Sequence, residues 1–340
     1  MAFKLFKKGK DKFGLDRQYL KFIRAYSLCE PEVDYPFQWL MIEPTNNCNL
    51  RCVMCPQAGK MTREKGFMEY DLFKNLIDEV SGSVKSVQLF HSGESFLHPK
   101  IFDMIAYTAS NNIYSLINTN GTLLDENKAK AVLDSGLNSI SFSFDTFHKD
   151  TYESVRVGAQ FDKTLKNILD FLKLKAQKKQ KSPHTILEIL EMLDTNSHKD
   201  TFFHQAKEMG FDEVRIWKFH NWTENDIVND QHSPYSINQD AYYPCEYPFF
   251  LMAVYWDGTV VPCCLDYNKG YPLGNVNDTS LMTIWNNRQL IKLRSTMWSK
   301  ETPKTMLCKD CSLLKEPRSS RSLAGKLFSS YARLIGIMRR

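Results

Sequence analysis

No apolar run in the 340 residues approaches the roughly 20 that a helix needs to cross a bilayer. The basic opening MAFKLFKKGK is not followed by the apolar core of a signal peptide. Low-complexity segments and short repeats are also missing, so nothing points to a repeat array. Together these absences lead us to expect a cytoplasmic chain with enough length to bury a full core. The nine cysteines, an odd number, argue against a disulfide framework in such a reducing setting. They are bunched as C-x3-C-x2-C, an adjacent pair and C-x2-C, spacings suited to metal or redox chemistry.

Acidic residues are scarce at both ends. Residues 1–24 hold eight Lys/Arg against two Asp, and 317–340 hold six Lys/Arg and no acid, so a net charge of +5 conceals a body of −7 between two ends of +6. An acidic body argues against a groove that runs along nucleic acid. The basic tail also places Leu323, Leu327, Phe328, Tyr331, Leu334, Ile335 and Met338 on one helical stripe. That stripe suits either peripheral contact with the inner face of a membrane or docking on its own domain.

Between residues 38 and 220 one rhythm recurs. The β-rich runs QWLMIEPT, VKSVQLFHS, YSLINTN, SISFSFD, HTILEILEM and EVRIWKFH alternate with helical patterns such as YDLFKNLIDEV and FDKTLKNILDFLKLKAQKK. Six β/α units imply parallel sheet, with chemistry in the loops after the strands' C-terminal ends. After residue 222 the rhythm stops in a polar, turn-rich stretch. The domain reading is a basic helical extension at 1–37, a barrel at 38–222, a linker at 223–240, a second module at 241–316 and the basic tail at 317–340.

The loop after the first strand carries Cys48, Cys52 and Cys55 and lacks a fourth cysteine nearby. A structural zinc site closes a tetrahedron with four protein ligands, and His91 or His98 can complete one here. Three thiolates can instead hold three irons of a 4Fe-4S cube and leave the fourth iron for an external ligand. CNLRCVMC in this place resembles the C-x3-C-x2-C motif of the radical S-adenosylmethionine (radical SAM) superfamily, whose core is a partial (β/α)6 TIM barrel. The resemblance implies that SAM fills the open iron and is reductively cleaved to a 5′-deoxyadenosyl radical, which takes hydrogen from a substrate. It implies a low-potential ferredoxin or flavodoxin as electron donor.

The other loops fit that resemblance. Ser92, Gly93 and Glu94 of HSGESFLHP are similar to the family's GGE motif, with Ser92 in place of the first Gly, and are expected at the ammonium end of SAM. Asn118, Ser143 and Asp145 are expected near its ribose, although strand-end caps have the same composition. Arg156 of ESVRVG resembles a family arginine suited to a carboxylate, and an ordinary ion pair is its plain alternative.

Cys245, Cys263, Cys308 and Cys311 make a second, complete set of four thiolates, which can hold zinc or a second 4Fe-4S cluster. The pattern C…WDGTVVPCC…LGNV…IW…CKDC looks like the auxiliary-cluster module of the SPASM/Twitch branch, in the shorter form of the butirosin-pathway aminocyclitol dehydrogenase type. By that analogy the substrate is carbohydrate-like, with a peptide as the alternative, for which no recognition domain precedes the barrel. Oxidation and epimerisation are both open outcomes: Arg215 on the sixth strand can hold a substrate oxygen, and Cys264 can donate a hydrogen atom or be a buried spare thiol. A non-catalytic metal-bearing scaffold is the rival from another class. Cys29, ahead of the barrel, reads as structural.

Overall fold

A computed structural model describes residues 17–196, 199–219, 233, 241–299, 306–309 and 311–315. Helix α1 (Arg17–Leu28) buries Tyr19, Phe22, Ala25 and Tyr26 along one stripe. Strands β1 (Trp39–Ile42), β2 (Ser86–Gln88), β3 (Tyr114–Thr119), β4 (Ser139–Ser143), β5 (His184–Glu191) and β6 (Glu213–Lys218) follow, each parallel to its predecessor. Between them run α2 (Tyr70–Val80), α3 (Ile101–Ser110), α4 (Glu126–Asp134), α5 (Lys149–Val155), α6 (Phe161–Gln177), α7 (Leu193–Asn196) and α8 (Lys199–Glu208). This is the α/β partial barrel expected from the alternation of periods 2 and 3.6. Local chemistry starts the helices: Asp125 accepts the Lys128 N–H at the head of α4.

The register sorts side chains onto two faces. Leu40, Ile42, Val87, Ile117, Ile140, Phe142 and Leu187 are shut into the core with helical residues such as Phe73, Ile77, Met104 and Phe171. Burying each such side chain is worth about 1.5–3 kcal/mol. The opposite, concave face is mixed: Met41, Gln88, Leu116, Asn118, Ser141, Ser143, Glu188 and Arg215 occupy matching register positions along it.

The second module is not set apart from the barrel. Strand β7 (Leu251–Val254) pairs in parallel with β1, and β8 (Thr259–Val261) and β9 (Gly274–Asn275) continue antiparallel, so one nine-stranded sheet runs β6-β5-β4-β3-β2-β1-β7-β8-β9. An uncovered β1 would present a row of unpaired N–H and C=O groups, which β7 satisfies. The β7–β8 turn sits at Asp257-Gly258 as the sequence suggested, with Gly258 at φ +86° in the left-handed region. Helices α9 (Leu281–Trp285), α10 (Arg288–Thr296) and α11 (Met306–Lys309) close the module.

Residues 1–16 of the N-terminal extension, nearly all of the 223–240 linker and the whole 317–340 tail with its apolar stripe lie outside the described residues. Among the described residues no helix is long and apolar enough to cross a membrane.

Candidate metal centre and active site

The loop after β1 is held by the loops after the next three strands. Glu94 N–H donates to Asn47 O (2.8 Å), Asn120 Nδ2 to Asn49 Oδ1 (3.1 Å), and Arg51 and Val53 N–H to Val157 and Val155 O (2.9 and 3.0 Å). The contact with the SGE loop is so close that a Cβ on Gly93 would stand 2.2 Å from Thr45 O and 2.6 Å from Asn47 O. Only glycine fits there.

Cys52 is buried, and Cys48 and Cys55 are half-buried. Burial pushes the Cys55 thiol up to about 12 and raises Cys48 as well. Thiols so desolvated stay protonated unless a bound cation takes the proton's place, the behaviour of metal ligands rather than of free nucleophiles. Of the two histidines proposed for a zinc site, only His98 spends both ring nitrogens elsewhere; His91 keeps a buried Nε2 without a hydrogen-bond partner. His98 uses Nε2 on Met68 O (2.9 Å) and Nδ1 as acceptor for Lys100 N–H (3.0 Å). His91 Nδ1 faces Glu43 Oε2 (3.2 Å) and Ser92 Oγ (2.5 Å). Among the described residues no fourth protein ligand is gathered with the trio, so the donor set fits a cluster with one open iron better than a closed zinc site. No group of three or more His, Cys, Asp or Glu among the described residues is gathered to hold a metal ion. Thiolates on separate irons of a cube need not converge on one point as zinc ligands do.

Cys245, Cys263, Cys308 and Cys311 are all buried and line one apolar cavity with Pro262, Leu265, Leu293 and Met297. Apart from Tyr247 its lining is apolar, so the four thiols are the metal-ligating groups it offers, the number that a closed four-thiolate site requires. Leu265 N–H points at Cys263 Sγ (3.3 Å), a donor aimed at sulfur. Cys264 stays out of that cavity. It packs with Phe90 against Met41, Ala253, Tyr255 and Val261, residues of the concave barrel face. Cys29, half-buried with φ 57°, ends α1.

The remaining sequence-derived residues are brought together, and several are tied to one another. Ser143 Oγ donates to Asn118 Oδ1 (2.9 Å), and Asn118 Nδ2 to Ser141 Oγ (2.8 Å) and Glu188 Oε2 (2.6 Å). Ser92 O accepts from Gln57 Nε2 (2.5 Å). Glu94, wholly buried, accepts from Phe96 N–H, Thr119 Oγ1 and Asn120 N–H, so its carboxylate braces the end of β3. Burial raises its pKa against those bonds. Asp145 accepts Leu190 N–H (2.9 Å) on Oδ1 and Arg156 Nε–H (2.7 Å) on Oδ2, while Arg156 NH1 lies 3.8 Å from Cys52 Sγ. Asp145 thus meets an arginine where a ribose hydroxyl was expected. Arg215, read as a substrate clamp, is forked onto Glu213 of its own strand (2.7 and 3.2 Å) and reaches Glu188 at 3.4 Å.

Two groups escaped the motif-based reading. Glu188 interrupts the apolar run HTILEILE at an inward register position, and alternation along that strand was the available signal. Burial raises its carboxyl pKa, with Arg215 opposing. The second is a buried node of distant residues: Arg63 clasps Glu43 with two bonds (2.9 and 2.8 Å), lies 3.7 Å over the Tyr255 ring and donates to Tyr267 O (2.6 Å). No spacing joins 43, 63, 91 and 255.

Residues 42–181 match the radical SAM superfamily, and residues 245–312 match the SPASM iron-sulfur cluster-binding domain. A tungsten-containing aldehyde ferredoxin oxidoreductase cofactor-modifying protein of Pyrococcus furiosus is 25% identical over 323 residues, spanning 81% of this chain and 87% of the relative. Among solved structures, BtrN in complex with AdoMet and 2-DOIA aligns with a TM-score of 0.56 at 19% identity, over 82% of this chain and 94% of BtrN. Streptococcus suis SuiB bound to the precursor peptide SuiA aligns with a TM-score of 0.61 at 16% identity, over 88% and 74%. At such identities the structures speak for the fold. A radical SAM domain implies a 4Fe-4S cluster and SAM, and a SPASM domain implies an auxiliary iron-sulfur cluster. The chain belongs to the radical SAM superfamily and carries a SPASM iron-sulfur domain on the edge of its barrel sheet.

Proposed function

We propose that this radical SAM enzyme oxidises or epimerises a small, polyhydroxylated ring compound of the sugar or aminocyclitol kind. The observation that carries the reading is the concave face, where Ser141, Glu188 and Arg215 continue the hydrogen-bonded polar row that begins with Asn118 and Ser143. Such a row suits a ligand rich in hydroxyls more than an apolar one. BtrN, whose structure holds 2-DOIA, gives the analogy for substrate class. SuiB, holding a peptide, supports the second reading, a peptide substrate.

Cys48, Cys52 and Cys55 would hold the SAM-binding cluster, and Cys245, Cys263, Cys308 and Cys311 the auxiliary one. Ser92, Gly93, Glu94, Asn118, Ser143, Asp145 and Arg156 would surround SAM, several of them by fixing their neighbours. When bound, cluster and SAM together supply hydrogen-atom abstraction from an unactivated C–H. Glu188 and Arg215 orient the hydroxyls along the concave face. In an epimerisation, Cys264 returns a hydrogen atom from the β1–β7 side, and the sulfur radical left on it is restored by one electron from the low-potential donor and one proton. In an oxidation it stays idle, a hydroxyl proton leaves through the polar row, and the cluster that Cys245, Cys263, Cys308 and Cys311 would hold supplies the acceptor for the remaining electron. A low-potential ferredoxin or flavodoxin is the proposed donor, and the proposed location is the cytoplasm, with the basic ends touching the membrane's inner face. Unequal partitioning of intact and tail-deleted protein onto anionic liposomes supports that contact, and equal partitioning removes it.

The first test is metal analysis of anaerobically reconstituted protein beside Cys48→Ala/Cys52→Ala/Cys55→Ala. We expect about eight irons falling to about four, with 5′-deoxyadenosine formed only by wild type. A panel of sugars, aminocyclitols and peptides is then assayed in D2O. Deuterium retained in a product of unchanged oxidation state marks epimerisation, and loss of two hydrogens marks oxidation. Turnover of peptides alone overturns the substrate class.

A further inference from the structure

The motif containing Arg156 implies a contact with a ligand carboxylate, but its surroundings say something else. The 155–157 segment is stitched to the cysteine loop by two backbone bonds that flank Cys52, from Arg51 N–H to Val157 O and from Val53 N–H to Val155 O. These deliver the Arg156 side chain, 13% exposed, to Cys52, the most buried residue of the trio, with NH1 3.8 Å from Cys52 Sγ. Its direction is fixed from behind. Asp145, 1% exposed at the side chain, takes Nε–H at 2.7 Å and is itself pinned by Leu190 N–H at the end of β5. A flexible cation looking for a ligand would not need so complete a mount.

We propose that Arg156 is a positioning residue for Cys52, holding an N–H donor and a fixed positive charge against its sulfur so that the centre bound by the trio is easier to reduce. Hydrogen bonds to cluster sulfurs and nearby charge are known levers on reduction potential. Both act here at low local dielectric, where a fixed charge is screened least. The added electron lowers the net charge of the centre, and the guanidinium stabilises that state more than the oxidised one. Asp145 serves two ends: it aims the guanidinium and partly offsets its charge. This inference rests on the trio holding an iron-sulfur cluster, which the iron content of each variant reports separately.

The test is an EPR-monitored redox titration of the reconstituted full-length chain, without SAM, for wild type, Arg156→Met, Arg156→Lys and Asp145→Asn. SAM affinity is measured in parallel by equilibrium dialysis. We expect the trio centre, identified in wild type by the signal that changes on adding SAM, to shift to a more negative midpoint in Arg156→Met. Arg156→Lys, which keeps the charge but loses the fork, should shift less, and the auxiliary centre should stay put in every variant. Asp145→Asn keeps the arginine and frees its aim, so its g-values should broaden toward a mixture of environments. Should Arg156→Met fail to load iron at the trio, the lysine and asparagine variants still decide the matter. An unshifted midpoint with weakened SAM binding would overturn the proposal and leave Arg156 as a carboxylate contact alone.

Discussion

Glu43 is fully buried, and burial alone would raise its pKa, yet hydrogen bonds from His91 and Arg63 bring it down to about 2. Since an unfolded glutamate titrates near about 4.3, the folded state binds fewer protons over the interval between. The stability this group contributes is therefore complete above about pH 4.3 and is lost as pH falls from there toward 2. Denaturant midpoints measured from pH 6 down to 2 should show that decline, and Glu43→Gln should flatten part of it. Arg63→Met leaves a buried carboxylate with only His91 and the Trp256 N–H (3.5 Å) beside it and should cost about 3–5 kcal/mol. A loss under 1 kcal/mol would mean that water reaches the node. Gly93→Ala is expected to cost about 1–3 kcal/mol, because the clash is with backbone oxygens that cannot swing away. Iron at the trio should fall with it, while the auxiliary site keeps its metal. Cys48, Cys52, Cys55 and Gly93 were legible from spacing and neighbourhood. Glu43 and Arg63 were not, because nothing local marks an ion pair between residues 20 apart.

Among the elements, α10 shows how the second module is fastened. Arg294 is completely buried and donates from Nε to Pro248 O, from NH1 to Pro31 O and Asn286 Oδ1, and from NH2 to Trp285 O, with the Trp285 ring 4.1 Å away. Burial lowers its pKa to about 10, so it is still charged at neutral pH. One guanidinium thus ties α10 to α9 and to the segment before β1. Arg294→Lys cannot reproduce this planar fork and should destabilise nearly as much as Arg294→Met, by about 2–4 kcal/mol in chemical denaturation. Full stability in the lysine variant would show that charge matters there and direction does not. The six barrel strands could be read from period 2 and their bounding turns, though β2 proved only three residues long. The mounting of α10 could not, since a buried arginine in RQLIKLRST looks like any other surface cation on a helix.

In the whole molecule, the sheet decides how the two matched regions relate. Because β7 lies on β1, the auxiliary module covers the barrel's edge and carries Cys264 to the concave face. A chain ending at residue 240 should therefore expose the β1 edge and aggregate, as light scattering would detect. A monodisperse truncated barrel would show that the edge is protected otherwise. By itself the sequence determined the fold class and where its cysteines fall: a trio in the first β/α loop, four more in the second module, and six strands whose loops gather around the trio. Those features are local in the chain, written in spacing and periodicity. Tertiary structure alone decided which polar groups are spent on one another, as Asp145 on Arg156 and Arg215 on Glu213 and Glu188, and which cysteine of the 263–264 pair lines the four-cysteine cavity. Such pairings depend on register and on contacts between distant segments, whose free energy comes from burial and has no signature in the order of residues.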